Sequence, residues 1–270
     1  MRGAWHAPMA GMAILGLSIA LTGCVTSNKY KMAKKEGALP PQTLNWAAGD
    51  ATGDVVLQSI IIFKGPGSWK REARWDEYMV AITNRGPEPL MIEAAVLIDL
   101  LGVPRESGVD PWQLEKLSYT NWDKYGKTGL KLVAGAGAVA LYIGAVSGVT
   151  LGAGLAAAPG AAVGAGAGAA AALALVPVVA VVDITAVAIM NNQNKKKVVA
   201  EFNRRRLPLP LTIAPEQGVA GSFFFPMTPG PKKLFLRGRR GDQPEELVVD
   251  LAPLASLHLK PAPEKKATPP

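Results

Sequence analysis

The stretch "EYMVAITNRGPEPLMIEAAVLID", residues 77–99, holds two apolar runs rich in β-branched residues, 77–84 and 90–99, split by the turn formers "RGPEP". Strands of this length broken by Gly and Pro read as an antiparallel pair. Upstream, "VVLQSIIIF" (55–63) repeats the pattern across "KGPGS". Downstream, "LPLTIA" (209–214), "GSFFFP" (221–226), "KKLFLRG" (232–238) and "ELVVDLA" (246–252) do the same, with "PEQG", "TPGP" and "RGDQPE" between them. Helical periodicity between the strands is confined to "PWQLEKLSYTNW" (111–122), where Asp110 is placed to cap and Pro111 occupies the first turn.

Seven short strands divided by Gly/Pro turns predict a mainly β fold: a sandwich of two antiparallel sheets, immunoglobulin-like in general architecture. Three of the strands precede residue 123 and four follow residue 199, and three alone would leave an apolar face bare. We therefore expect one β domain made of residues 51–123 and 199–260, interrupted by an insertion at 124–198. The pattern "ITNRGPEPL" resembles turns in bacterial periplasmic immunoglobulin-like modules, and "GSFFFPMTPGPKKLFLR" resembles a pair of their late strands. The resemblance is one of fold style and implies no active site.

The insertion has a different chemistry. From Leu132 to Val182 no Asp, Glu, Lys or Arg occurs, and a helix without a polar stripe is one that buries every face. Two arms fit, Leu130–Leu155 and Ala161–Met190, each longer than the roughly 20 residues that span a hydrocarbon core, so the expectation is a hairpin broken at Pro159-Gly160 that inserts in a bilayer as transmembrane helices or lies on it, the alternative being a helical pair packed in a soluble oligomer. Gly144, Gly148 and Gly152 on the first arm face Gly168, Gly164 and Gly160 on the second when the chain folds back on itself. A period of four keeps each set on one side of its helix, and glycine lets the two backbones approach closely. This composition resembles the glycine-zipper hairpins of outer-membrane lipoproteins. Pro177 is expected to bend the second arm and Asp183 to reach for the interface. The hairpin's feet are basic, and Lys124, Lys127, Lys131, Lys195, Lys196 and Lys197 are expected at the headgroup level beside Trp122 and Tyr125.

The start of the chain reads as an export signal: one Arg in "MRGAWH", an apolar run from Met9 to Ala20, then "LTGC" at 21–24. Leu21, Thr22, Gly23 and Cys24 resemble the lipobox of a bacterial lipoprotein precursor, which implies loss of residues 1–23 and a covalent lipid on Cys24, the only cysteine. Several acyl chains hold a protein stably on a bilayer, at about 0.8 kcal/mol per buried methylene. Val25 stands where inner-membrane retention would show Asp, so the resemblance implies the outer membrane, facing the periplasm. Residues 24–50 read as a linker, and 261–270 as a disordered tail.

The 29 Lys and Arg against 21 Asp and Glu give a formal charge of +8, spread over "KYKMAKK", "NKKK", "NRRR" and "LRGRRG" without interleaved aromatics. In an exported chain this points to anionic envelope surfaces, not to nucleic acid. Without the signal, one histidine is left, His258, so a metal site of His and Cys ligands cannot be assembled. Asp76 with Glu77 and Glu245 with Glu246 adjoin turns and read as solvated charge; the glycine run lacks the Gly-Lys-Ser/Thr of a phosphate loop. The expectation is a non-enzymatic scaffold without cofactor or small-molecule substrate, bound to membrane lipid and to an envelope protein or a second copy of itself. Its alternatives are a pore or export accessory built from the hairpins, and a carboxylate hydrolase acting on glycans.

Overall fold

The computed structural model of the chain describes residues 31–33, 40–70, 73–147 and 192–260. Among these residues nine strands form two antiparallel sheets, with three α-helices interspersed and a single 3-10 turn at Ala252–Leu254. The first sheet is ordered β1 (Trp46–Gly49), β2 (Gly53–Ile61), β3 (Trp75–Asn84), β7 (Gln217–Pro226). The second runs β5 (Pro104–Glu106), β4 (Leu90–Ile98), β8 (Lys233–Arg240), β9 (Gln243–Asp250), with β6 (Leu211–Ile213) pairing β4 beside β5. All seven strands read from the sequence are present. β1 and β5 were not anticipated, and β1 lies inside the stretch read as a linker, hydrogen-bonded along β2 from Trp46↔Leu57 to Gly49↔Asp54.

Alternation sets the core. Val55, Leu57, Tyr78, Val80, Ile82, Phe223 and Phe225 from the first sheet meet Leu90, Ile92, Leu97, Leu234, Leu236, Leu247 and Val249 from the second in one buried cluster. β2 explains its own composition: a bulge between Leu57 and Ser59 shifts the phase, so that Ile60 and Ile62 continue the inner row while Ile61 turns to the outer face. That outer face is covered too. Ile61, Trp75 and Phe224 meet Leu114 of α1 (Pro111–Lys127) and Val198 and Phe202 of α3 (192–205), and Trp75 meets Phe202 and Phe224 edge-to-face at 5.4 and 5.2 Å. A strand buried on both sides needs the unbroken run of isoleucines that the sequence supplies.

α1 begins where expected: the Asp110 carboxylate accepts from the Trp112 amide at 2.8 Å and Pro111 takes the first position. α3 was missed, although Val198 and Phe202 stand four apart on it beside the Glu201–Arg205 ion pair of 2.7 Å.

α2 (Ala136–Ser147) corrects the reading of the insertion. Ala138 and Tyr142, one turn apart, are buried in the main core, with Val139 and Ile143 packed beside them. The backbone leading into α2 is tied to the C-terminal segment, Val133 N to His258 O at 3.0 Å and Lys260 N to Lys131 O at 2.7 Å. Among the described residues no helix is long and apolar enough to cross a membrane, which overturns the expectation of a transmembrane helix there. The bulkiest side chain of α2, Tyr142, is committed to protein. The rest of both arms, including Pro177 and Asp183, lies outside the described residues.

Candidate functional site

Three groups of polar side chains stand out. The first corrects the view of Asp76 as solvated. Asp76 lies on the inner face of β3, two residues before Tyr78, and is 0% exposed; its Oδ2 is 2.9 Å from Nε2 of His258, itself 1% exposed. Among the described residues Asp76 Oδ1 and His258 Nδ1 have no hydrogen-bond partner. A carboxylate and an imidazole at this distance are an acid–base pair in principle. Neither presents surface to a substrate, so the pair's evident work is to fasten the C-terminal segment to the first sheet.

The second group lies on the opposite face of the same strand. Glu77, also fully buried, accepts from Trp69 Nε1 at 2.6 Å, Ser222 Oγ at 2.7 Å and Arg205 Nη1 at 3.3 Å, which joins β3, β7 and α3 through one carboxylate. Nearby, Lys70 is buried with its ammonium 3.9 Å from the centre of the Trp75 ring, and it donates to the carbonyl of Trp75. Burial pulls the Lys70 amine down to about 8, against the upward pull of Asp76, Glu77 and Glu115.

The third group is open to solvent. β5 and the loop after it run beside α1, leaving a groove of about 570 Å³. Gln113, Leu117 and Asn121, spaced by four on α1, make one wall, and residues 104–109 make the other. Leu117 is 42% and Val109 64% exposed. The base is rigid. Arg105 Nη2 donates to Asp99 Oδ2 at 3.2 Å and to the Tyr125 hydroxyl at 3.1 Å, and Tyr125 donates to the same buried carboxylate. Burial, then the bond to Asp99, pushes the Tyr125 phenol up to about 12, so it stays a neutral donor.

The basic feet of the insertion are not brought together. Lys124 and Lys127 are exposed in the last turn of α1, and Lys131 is exposed just beyond it. Lys195, Lys196 and Lys197 are exposed on α3, with the Lys195 ammonium 5.4 Å from the Trp112 ring at the other end of α1. Twelve residues of helix, roughly 18 Å, separate Trp112 from Lys124. Of the zipper glycines only Gly144 is described, half-buried near the end of α2; Gly148, Gly152, Gly160, Gly164, Gly168 and Cys24 lie outside the described residues. Tyr125, expected at an interface with lipid, is buried in protein. Glu245 and Glu246 pair with Arg240 at 3.2 Å and Arg237 at 2.7 Å. Among the described residues no three His, Cys, Asp or Glu side chains converge to hold a metal ion.

No family model matches the chain, and neither the curated proteins nor the solved structures compared with it give a match.

Proposed function

We propose that the chain is a lipid-anchored protein of the bacterial envelope, held through Cys24 at the outer membrane, whose β body is an immunoglobulin-like sandwich that binds a protein partner. Two antiparallel sheets closing on one core support the sandwich reading, and the Leu21–Cys24 lipobox supports the anchor. The observation that carries the binding role is the groove between β5 and α1. Exposed Leu117 and Val109 flank it, while buried Asp99, Tyr125 and Leu114 hold its base. Large apolar side chains left in water on a fixed frame are what an interface core uses. Among the described residues the carboxylate–imidazole pair, Asp76 with His258, is buried away from this groove's lining, which favours interaction as its role.

The anchor is tested by metabolic labelling with a radioactive fatty acid. The wild-type chain should incorporate label and Cys24→Ser should not; equal labelling of the variant rejects the anchor. The binding role is tested by placing a photo-crosslinking residue at Leu117 and, as control, at exposed Arg239 on β8 of the second sheet. A discrete adduct in envelope fractions from position 117 and none from 239 is expected. Identical patterns from both positions argue against a specific groove.

A further inference from the structure

We infer that the groove takes an extended apolar segment of a partner protein, carrying a Lys or Arg, as an added strand on the free edge of β5. This rests on the binding role proposed above and specifies the chemistry of the bound segment. The register defines the edge. Leu97 pairs Arg105, Ser107 N donates to Ala95 O at 2.9 Å and Asp99 N to Val103 O at 3.1 Å, so residues 103, 105 and 107 direct their backbone groups at β4. In an antiparallel pair the residues between them point theirs the other way. Gly108 confirms the direction: its N–H leaves β4 and donates to Phe224 O of β7 at 2.8 Å. Glu106 N–H and C=O, and the Pro104 carbonyl, therefore face away from β4, on the side where Gly108 meets β7 and where Pro226 of β7 lines the groove. An unpaired strand edge is a template for another chain.

Asn121 supplies an independent sign of a ligand. It lines the groove at 4% exposure, and its Nδ2 has no hydrogen-bond partner among the described residues. A buried amide without an acceptor is costly, and a peptide carbonyl lying along β5 supplies one. Charge selects the segment. Of the charged side chains lining the groove, Arg105 is paired with Asp99 at 3.2 Å and Arg237 with Glu246 at 2.7 Å. Glu106 is exposed and forms no ion pair among the described residues, so the local excess is one carboxylate, complementary to a basic side chain. Leu114, Leu117 and Val109 take the apolar side chains.

The test uses the full chain and three capped hexapeptides: alternating Val and Lys, alternating Val and Glu, and the Val/Lys peptide N-methylated at every amide. The Val/Lys peptide should move the Asn121 side-chain amide resonance saturably and slow exchange of the Glu106 amide hydrogen by about tenfold or more. The Val/Glu peptide should bind at least about tenfold more weakly, and Glu106→Gln should bring the two within about twofold. N-methylation should abolish binding, as should Glu106→Pro, which removes the outward N–H and leaves the β4 bonds in place. Retained binding by Glu106→Pro or by the N-methylated peptide overturns strand addition, and equal affinity for the Val/Glu peptide overturns the charge assignment. Concentration-dependent self-association of the chain, lost in Glu106→Pro, would replace the partner by a second copy. A specific crosslink at position 117 with silent peptides leaves the binding role standing and removes only this inference.

Discussion

Asp76 and His258 show how far a residue's setting departs from its neighbours in sequence. Asp76 follows a turn and precedes another acid, a context that reads as solvated, yet its partner is 182 residues away and arrives only when the C-terminal segment folds over the first sheet. Glu77 meets Ser222 from 145 residues away. No local signal encodes such pairings, and these two were illegible for that reason. Removing one member of a buried pair strands the other, so Asp76→Ala should lower unfolding free energy by about 3 kcal/mol in urea titrations. The double variant Asp76→Ala/His258→Ala should fall short of additivity by about 1 kcal/mol or more. Strict additivity would show the contact to be incidental. Lys70 makes a second prediction. Its folded value of about 8 lies below the ordinary 10.5, so between these the unfolded chain keeps a proton that the folded chain has lost. That contribution favours folding as pH rises through this window and is lost as pH falls below about 8. The pH dependence of stability from 8 to 10 should therefore have a more positive slope in the wild type than in Lys70→Met, measured by chemical denaturation. Parallel curves would mean that burial does not hold the amine down.

At the scale of elements, the strands were legible because each alternates or runs apolar for its own reason, and turn chemistry marks the gaps. The two missed strands are the short ones: β5 has three residues, Pro104–Glu106, and β1 holds its place by pairing with β2, not by composition. α2 was misread because Ala and Gly satisfy a bilayer and a protein core alike; hydropathy does not say which. Tyr142 carries the distinction. A tyrosine facing lipid is dispensable to the fold, whereas one buried among Leu, Ile and Phe fills space that its loss leaves empty. Tyr142→Ala should destabilise the β body by about 3 kcal/mol, and Tyr142→Phe, which keeps the ring, by well under half of that. Urea midpoints of the two variants decide it. If both match the wild type, α2 is not part of the core.

At the scale of the whole molecule, the two halves of the sequence are joined inside both sheets. β3 pairs β7 over its full length, from Trp75↔Pro226 to Asn84↔Gln217, and β4 pairs β8 from Leu90↔Arg240 to Ile98↔Lys233. Each partnership unites a strand before the glycine-rich stretch with one after it, so neither half has a complete sheet of its own. That much followed from counting strands, since three leave an apolar face bare. The boundary of the inserted piece did not follow, because α2 and α3 carry core residues on both sides of it: Ala138 and Tyr142 before, Val198 and Phe202 after. The described core takes residues up to Ser147 and from 192 onward. Replacing residues 148–191 with a Gly/Ser linker of equal length keeps the loop-closure cost nearly constant. The exchanged chain should still unfold in a single transition, with a stability within about 1 kcal/mol of the wild type, monitored by tryptophan fluorescence of the Trp75 cluster. A deletion extended back to residue 130 should lose that transition or shift it by several kcal/mol, because it removes Tyr142 and the backbone tie of Val133 to His258. Equal stability of the exchanged and the deleted chain would show that the core ends before α2.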